Sequence, residues 1–179
     1  MLCQRLLFAF AVAVSTCGMS RAAANDPLAG WVENGRCPAF DAINSRSVPF
    51  ARNDRESIRW TNGLDAFLRL RYVYDPKHGI ALRMRDQGEG AFGDILLRFI
   101  GPPPARALQG NLSRLATTSG IRLGSRAAMV AQKLGKPYIV RGCGLQRYAY
   151  AIDRQVGGNS LEFTIKDGRV VEIFQTYGD

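Results

Sequence analysis

Apolar and polar residues alternate most regularly in two parts of the chain. In Leu68-Arg69-Leu70-Arg71-Tyr72-Val73-Tyr74 the even positions are apolar, and Ile80-Ala81-Leu82-Arg83-Met84-Arg85 repeats the pattern. A period of two marks strands with one buried face. Asp75-Pro76-Lys77-His78-Gly79 lies between them as a five-residue turn, with Pro and Gly in turn roles. Ile95 to Ile100 continues the pattern, with Ile95, Leu97 and Phe99 inward and Arg98 outward. The second part holds Tyr148, Tyr150 and Ile152, then Leu161, Phe163 and Ile165, each set alternating. Lys166-Asp167-Gly168-Arg169 is a tight turn centred on Asp-Gly, and Val170 to Phe174 returns as its partner strand.

Helical spacing is rarer. Ser125 is placed to cap a helix from Arg126 to Leu134, whose Ala127, Val130 and Leu134 share one face. Gly135 stops it and Pro137 prevents resumption. Residues 25–63 have weak periodicity and read as loop with one or two short helical turns, and Leu108 to Leu115 reads as a short helix. Gly101-Pro102-Pro103-Pro104 fits neither helix interior nor central strand. It divides an N-terminal half, 25–104, from a C-terminal half, 105–179. The expected class is α+β: antiparallel sheet with short helices packed on one face. The first half echoes the second without a residue-level repeat, and the two halves either share a sheet or pack as separate modules.

Residues 1–24 change the picture. They contain no acid, Arg5 is followed by the apolar run Leu6 to Val14, and a small, polar stretch ends in Ala22-Ala23-Ala24. This is the pattern of a secretory signal peptide, with a run too short to span a bilayer. Cleavage after Ala24 is the expected route. Val14-Ser15-Thr16-Cys17 resembles a lipobox that would anchor the chain at Cys17, but Thr16 departs from the small residue usual there. Cys3 and Cys17 lie in the leader, leaving Cys37 and Cys143 to pair in an oxidising compartment. No cofactor is expected, and two cysteines with one histidine make a poor metal-ligand set.

The chain has 179 residues, 46% hydrophobic and 22% charged, which excludes collagen-like, mucin-like and fully disordered classes. Its 24 Lys+Arg outweigh 15 Asp+Glu, and most of the excess lies beyond residue 100. An exported basic protein meets envelope proteins with acidic surfaces, anionic lipid head groups or acidic polysaccharide, and not nucleic acid.

The run Gly120-Ile121-Arg122-Leu123-Gly124-Ser125, with Val130 and Leu134-Gly135-Lys136-Pro137, is one half of a longer pattern. Leu161-Glu162-Phe163-Thr164-Ile165-Lys166-Asp167-Gly168-Arg169-Val170 is the other. Together they resemble exported modules of the SmpA/OmlA (BamE-like) type and the related β-lactamase-inhibitor-protein-like fold, over about the last third of the chain. The resemblance implies a non-enzymatic protein that scaffolds envelope assemblies or binds and inhibits other proteins. The lack of a clean lipobox departs from the lipoprotein members.

Candidate chemistry is sparse. Gly88-Glu89-Gly90-Ala91-Phe92-Gly93 spells a dinucleotide fingerprint, but a strand follows it where a helix is required, so it reads as a strand connection. His78, the single histidine, sits in the turn near Asp75 with no evident nucleophile, and no hydrolase motif occurs. Tyr148, Tyr150 and Tyr177 suit either an interface or packing of sheet on helix, with packing the expected role. The sharper feature is arginine. Arg69, Arg71, Arg83 and Arg85 are expected on one face of the hairpin, with Arg98 extending the row. A row of arginines must find anions or solvent: it is either a docking surface for carboxylates and phosphates or a solvated face. The expected function is non-catalytic binding in a bacterial envelope through this face. Inhibition of a secreted hydrolase and binding of anionic lipid are the alternatives.

Overall fold

A computed structural model describes residues 26–41, 43, 47–53, 56–59, 70–85, 93–152 and 159–177. The leader, Arg69 and residues 86–92 of the glycine-rich connection lie outside the described residues.

The strands are β1 (Ile58–Arg59), β2 (Leu70–Asp75), β3 (Ile80–Arg85), β4 (Gly93–Phe99), β5 (Leu108–Gln109), β6 (Ala116–Thr117), β7 (Tyr138–Gly142), β8 (Leu145–Ala151), β9 (Ser160–Lys166) and β10 (Arg169–Tyr177). The helices are α1 (Pro27–Glu33) and α2 (Ala127–Leu134), with one 3-10 turn at Pro38–Phe40. Eight strands form one sheet in the order β5-β2-β3-β4-β10-β9-β8-β7, while β1 and β6 pair separately. All neighbours in the large sheet are antiparallel except β2 and β5. The fold is therefore α+β, and the β4–β10 ladder runs the two halves of the chain into a single sheet.

One face is apolar. Val73, Leu82, Ile95, Leu97, Phe163 and Ile173 pack with Tyr150 beneath Val130 and Leu134 of α2 and beneath Leu112, Leu115 and Ile121. Tyr150 is a core residue, edge-on to Phe163 at 6.2 Å, and its hydroxyl donates to the Gly135 carbonyl at the end of α2. Gly135 closes that helix with φ of 97°, a region that favours glycine. Ser125 is not the cap expected of it: the helix begins at Ala127 with Arg126 at the N-cap position and no side-chain cap bond, and the Ser125 hydroxyl accepts from the Arg122 N–H.

The other face lies under α1. Val32 packs with Tyr72, Tyr74, Leu96 and Ala107, and Trp31 meets Tyr74 edge-on at 5.6 Å. Asp26 caps α1 by accepting from the Leu28 N–H, and Pro27 suits the first helical position. The Cys37–Cys143 disulfide, expected from the sequence, ties the 3-10 segment to the β7–β8 turn across 106 positions.

Three further expectations change. Leu108 to Leu115 forms no helix: Leu108 and Gln109 pair with Val73 and Tyr74, and the Asp75 carboxylate accepts the Leu112 N–H. The C-terminal half has a fourth strand, β7, closed onto β8 by Cys143 and Gly144, both with positive φ as a two-residue hairpin requires. The largest change is the parity of the first hairpin. Asp75 pairs with Ile80, so the turn has four residues, not five. A one-residue difference moves every side chain of a strand to the other face. Tyr72 therefore pairs with Arg83, and Val73 joins Leu82 in the core.

Candidate functional site

The hairpin register separates the expected arginine row. Arg83, Arg85 and Arg98 share a face, because Arg83 pairs with Leu96, Arg85 with Asp94 and Ala81 with Arg98. Arg71 pairs with Met84, which takes it out of register with them. The row also extends where the sequence reading placed nothing. Arg98 pairs with Glu172, Glu172 with Thr164, and Thr164 with Arg147.

These groups do not form an open cationic surface. Arg83 is 3% exposed; its guanidinium donates to Asp94 at 2.6 Å and contacts Glu33 at the end of α1. Glu33 also takes Arg36 at 2.8 Å. Arg147, 2% exposed, donates to Glu162 at 2.7 Å and to Glu172 at 2.5 Å, and lies over the Phe40 ring at 4.6 Å. Thr164 donates to Glu172 at 3.1 Å. Arg98 donates to the Val32 carbonyl at 2.8 Å and the Asn34 carbonyl at 3.3 Å, with its Nε 3.5 Å from Glu172. A cation at the C-terminal carbonyls of a helix satisfies acceptors that have no partner within it and opposes the negative end of its dipole. Arg98 thus fastens α1 to the sheet. Burial lowers the pKa of Arg83 against the opposing pull of Asp94. For Arg98, burial lowers it, Glu172 opposes, and Arg36 and Arg147 lower it further as like charges.

A break in alternation completes the network. Val170 and Ile173 both face the core, an odd spacing that a regular strand does not allow. The register shifts between Val170 and Glu172, so a bulge at Val171 turns Glu172 to the charged side.

Beside the bulge the layer opens. A cleft of about 350 Å³ is lined by Arg36, Arg98, Arg147, Lys166, Thr164 and Glu172 together with Phe40, Phe99, Leu145 and Val171. Cys37 forms part of its wall. The 3-10 turn approaches β7 closely: a Cβ on Gly142 would meet the Ala39 Cβ at 2.6 Å. Lys166 stands exposed on the rim.

A smaller cleft of about 210 Å³ opens elsewhere, lined by His78, Ile80, Leu97, Phe99, Leu112, Ser113, Leu115 and Leu123. Asp75 accepts from the His78 ring at 2.9 Å and from the backbone N–H groups of Lys77, His78 and Leu112. The Ser113 hydroxyl donates to Asn111 at 2.7 Å. Asp75 and His78 meet as their spacing allows, but they serve the turn, and Ser113 is engaged with Asn111 and not with the imidazole.

Set against protein-family models, curated proteins and solved structures, the chain matches none.

Proposed function

We propose that the protein is an exported, non-enzymatic binding protein of the bacterial cell envelope that docks an acidic partner protein at the cleft beside Val171. The carrying observation is the meeting of Arg36, Arg98, Arg147 and Lys166 at one opening, where carboxylates hold the three arginines and Lys166 stands exposed without an ion pair among the described residues. Positive clefts focus field lines and steer anionic partners. The leader-like first segment supports export, and the disulfide fits an oxidising compartment. The resemblance of residues 120–170 to BamE-like modules supports a scaffold role and agrees with α2 being followed by an antiparallel meander.

The test is co-purification from an envelope extract with the wild type and with Lys166→Glu. Lys166 is exposed at the end of β9, so the reversal leaves the packed layer intact. The expected result is one acidic protein held in fixed stoichiometry by the wild type, released by salt and lost by the variant. Recovery of the same material by both proteins overturns the reading.

A further inference from the structure

The cleft is not only positive. Phe40, Phe99, Leu145 and Val171 line it beside the cations, and Phe99 is 42% exposed. Its charge is also nearly balanced. Glu172 lines the cleft, and Glu33 and Glu162 pair with Arg36 and Arg147 from behind. Glu33 also contacts Arg83, which pairs with Asp94, so, the exposed Arg85 apart, five cations meet four carboxylates in this linked set and one positive charge remains. A single negative group neutralises that excess, whereas a dianion replaces it with an excess of the other sign. Arg98 feels Arg36 and Arg147 as like charges, which an added anion relieves. The Nε–H groups of Arg36, Arg98 and Arg147 make no hydrogen bond and are enclosed, the Arg98 Nε lying 3.5 Å from Glu172, so the exposed Lys166 ammonium and the part-exposed ends of Arg36 and Arg98 are what a ligand meets. The cleft volume is at the low end of ligand pockets, which run from about 300 to about 1,000 Å³. That is room for an end group with a short apolar body.

We infer that the cleft binds a single carboxylate carried on an apolar body. The inference rests on reading this cleft as the docking site and adds the chemistry it accepts. The planar carboxylate suits guanidinium donors, and the apolar walls cover the adjoining carbon atoms. Two sources present this group: the free terminus of a polypeptide ending in an apolar residue, and a fatty acid.

The purified full chain is titrated calorimetrically with acetyl-Leu-Phe as the free acid, with its C-terminal amide, with decanoate and with inorganic phosphate; phosphatidylglycerol vesicles form a separate arm. The free acid is expected to bind at least tenfold more tightly than the amide or phosphate. Lys166→Glu is expected to remove that advantage, and Phe99→Ser to weaken acid and amide alike, both with unchanged circular dichroism. The tighter of peptide and decanoate identifies the source. Equal binding of acid and amide, tighter binding of phosphate or vesicles, an unaffected Lys166→Glu, or no binding at all overturns the inference. An envelope partner lost with Lys166→Glu, without carboxylate binding, overturns this inference and leaves the docking reading standing. Carboxylate binding with no envelope partner does the reverse.

Discussion

On one face of the sheet, Leu97, Ile173, Phe163 and Tyr148 lie side by side across four strands beneath α2. One residue along each strand, Arg98, Glu172, Thr164 and Arg147 lie side by side on the face that carries α1. The same pleat supports both rows, but they hold their covers differently. The apolar row acts through burial, which is non-directional and tolerates exchange among side chains of similar volume. The charged row acts through specific pairs, each of which leaves a costly buried ion if its partner goes. Of the seven residues of α1 only Val32 is fully buried, with Leu28, Ala29 and Trp31 partly so, and a helix of that length is marginal without further fastening. Arg98 at its carbonyls, Arg83 at Glu33, and the disulfide supply the rest.

Breaking the covalent part of that fastening should have the largest effect. Replacing Cys37 and Cys143 together by Ala is expected to lower stability by about 4–5 kcal/mol in the chain-entropy account, read by urea unfolding without reductant. Arg147→Met comes next, at about 3–5 kcal/mol, because Glu162 and Glu172 lose their buried partner. Leu161→Ala on the apolar face costs a similar amount, about 2–5 kcal/mol. The comparison is sharpened by rescue. Adding Glu162→Gln to Arg147→Met should recover part of the charged-face loss, since Glu162 is no longer a stranded charge while Glu172 keeps Arg98 as its partner.

Acid titration separates a third region, the Asp75 turn. Burial raises the Asp75 pKa, but the Leu112 N–H, the His78 ring and the His78 N–H outweigh it and hold the carboxyl below its ordinary value. Its stabilisation is therefore fully present above the unfolded-state pKa and is lost as pH falls through the lower folded-state value. Asp75→Asn is expected to flatten the acid limb of stability between about pH 5 and about pH 2. The smallest effect belongs to Arg85→Ala, about 0–1 kcal/mol, because this side chain is 43% exposed and comes no closer than 3.7 Å to Asp94. Arg83→Ala, two residues away on the same face, should cost several times more.

That last pair shows how far the sequence carries. Alternation places Arg83 and Arg85 together, and Glu162 beside Thr164 opposite Phe163, so the existence of a polar face was legible. So were the Asp167–Gly168 turn and the cysteine pair. Which charges meet was not, because pairing is decided between strands far apart in the chain, such as Arg98 and Glu172. Two single-residue events hid the rest. Asp75 joins β2 and flips the parity of the hairpin, and the bulge at Val171 redirects Glu172. Both are local departures from period two, and both decide which residues reach the charged layer. The cleft forms where the 3-10 segment meets this layer, so strand periodicity alone gives no sign of it.

Hydrogen exchange in Arg98→Gln tests most directly whether the charged layer fastens the N-terminal segment. The Gly30 and Asn34 amides report on α1, since each is bonded one turn back within it. The account predicts that these amides lose protection in the variant while those of α2, on the apolar face, keep theirs. Unchanged protection of α1, or equal loss from both helices, would contradict it.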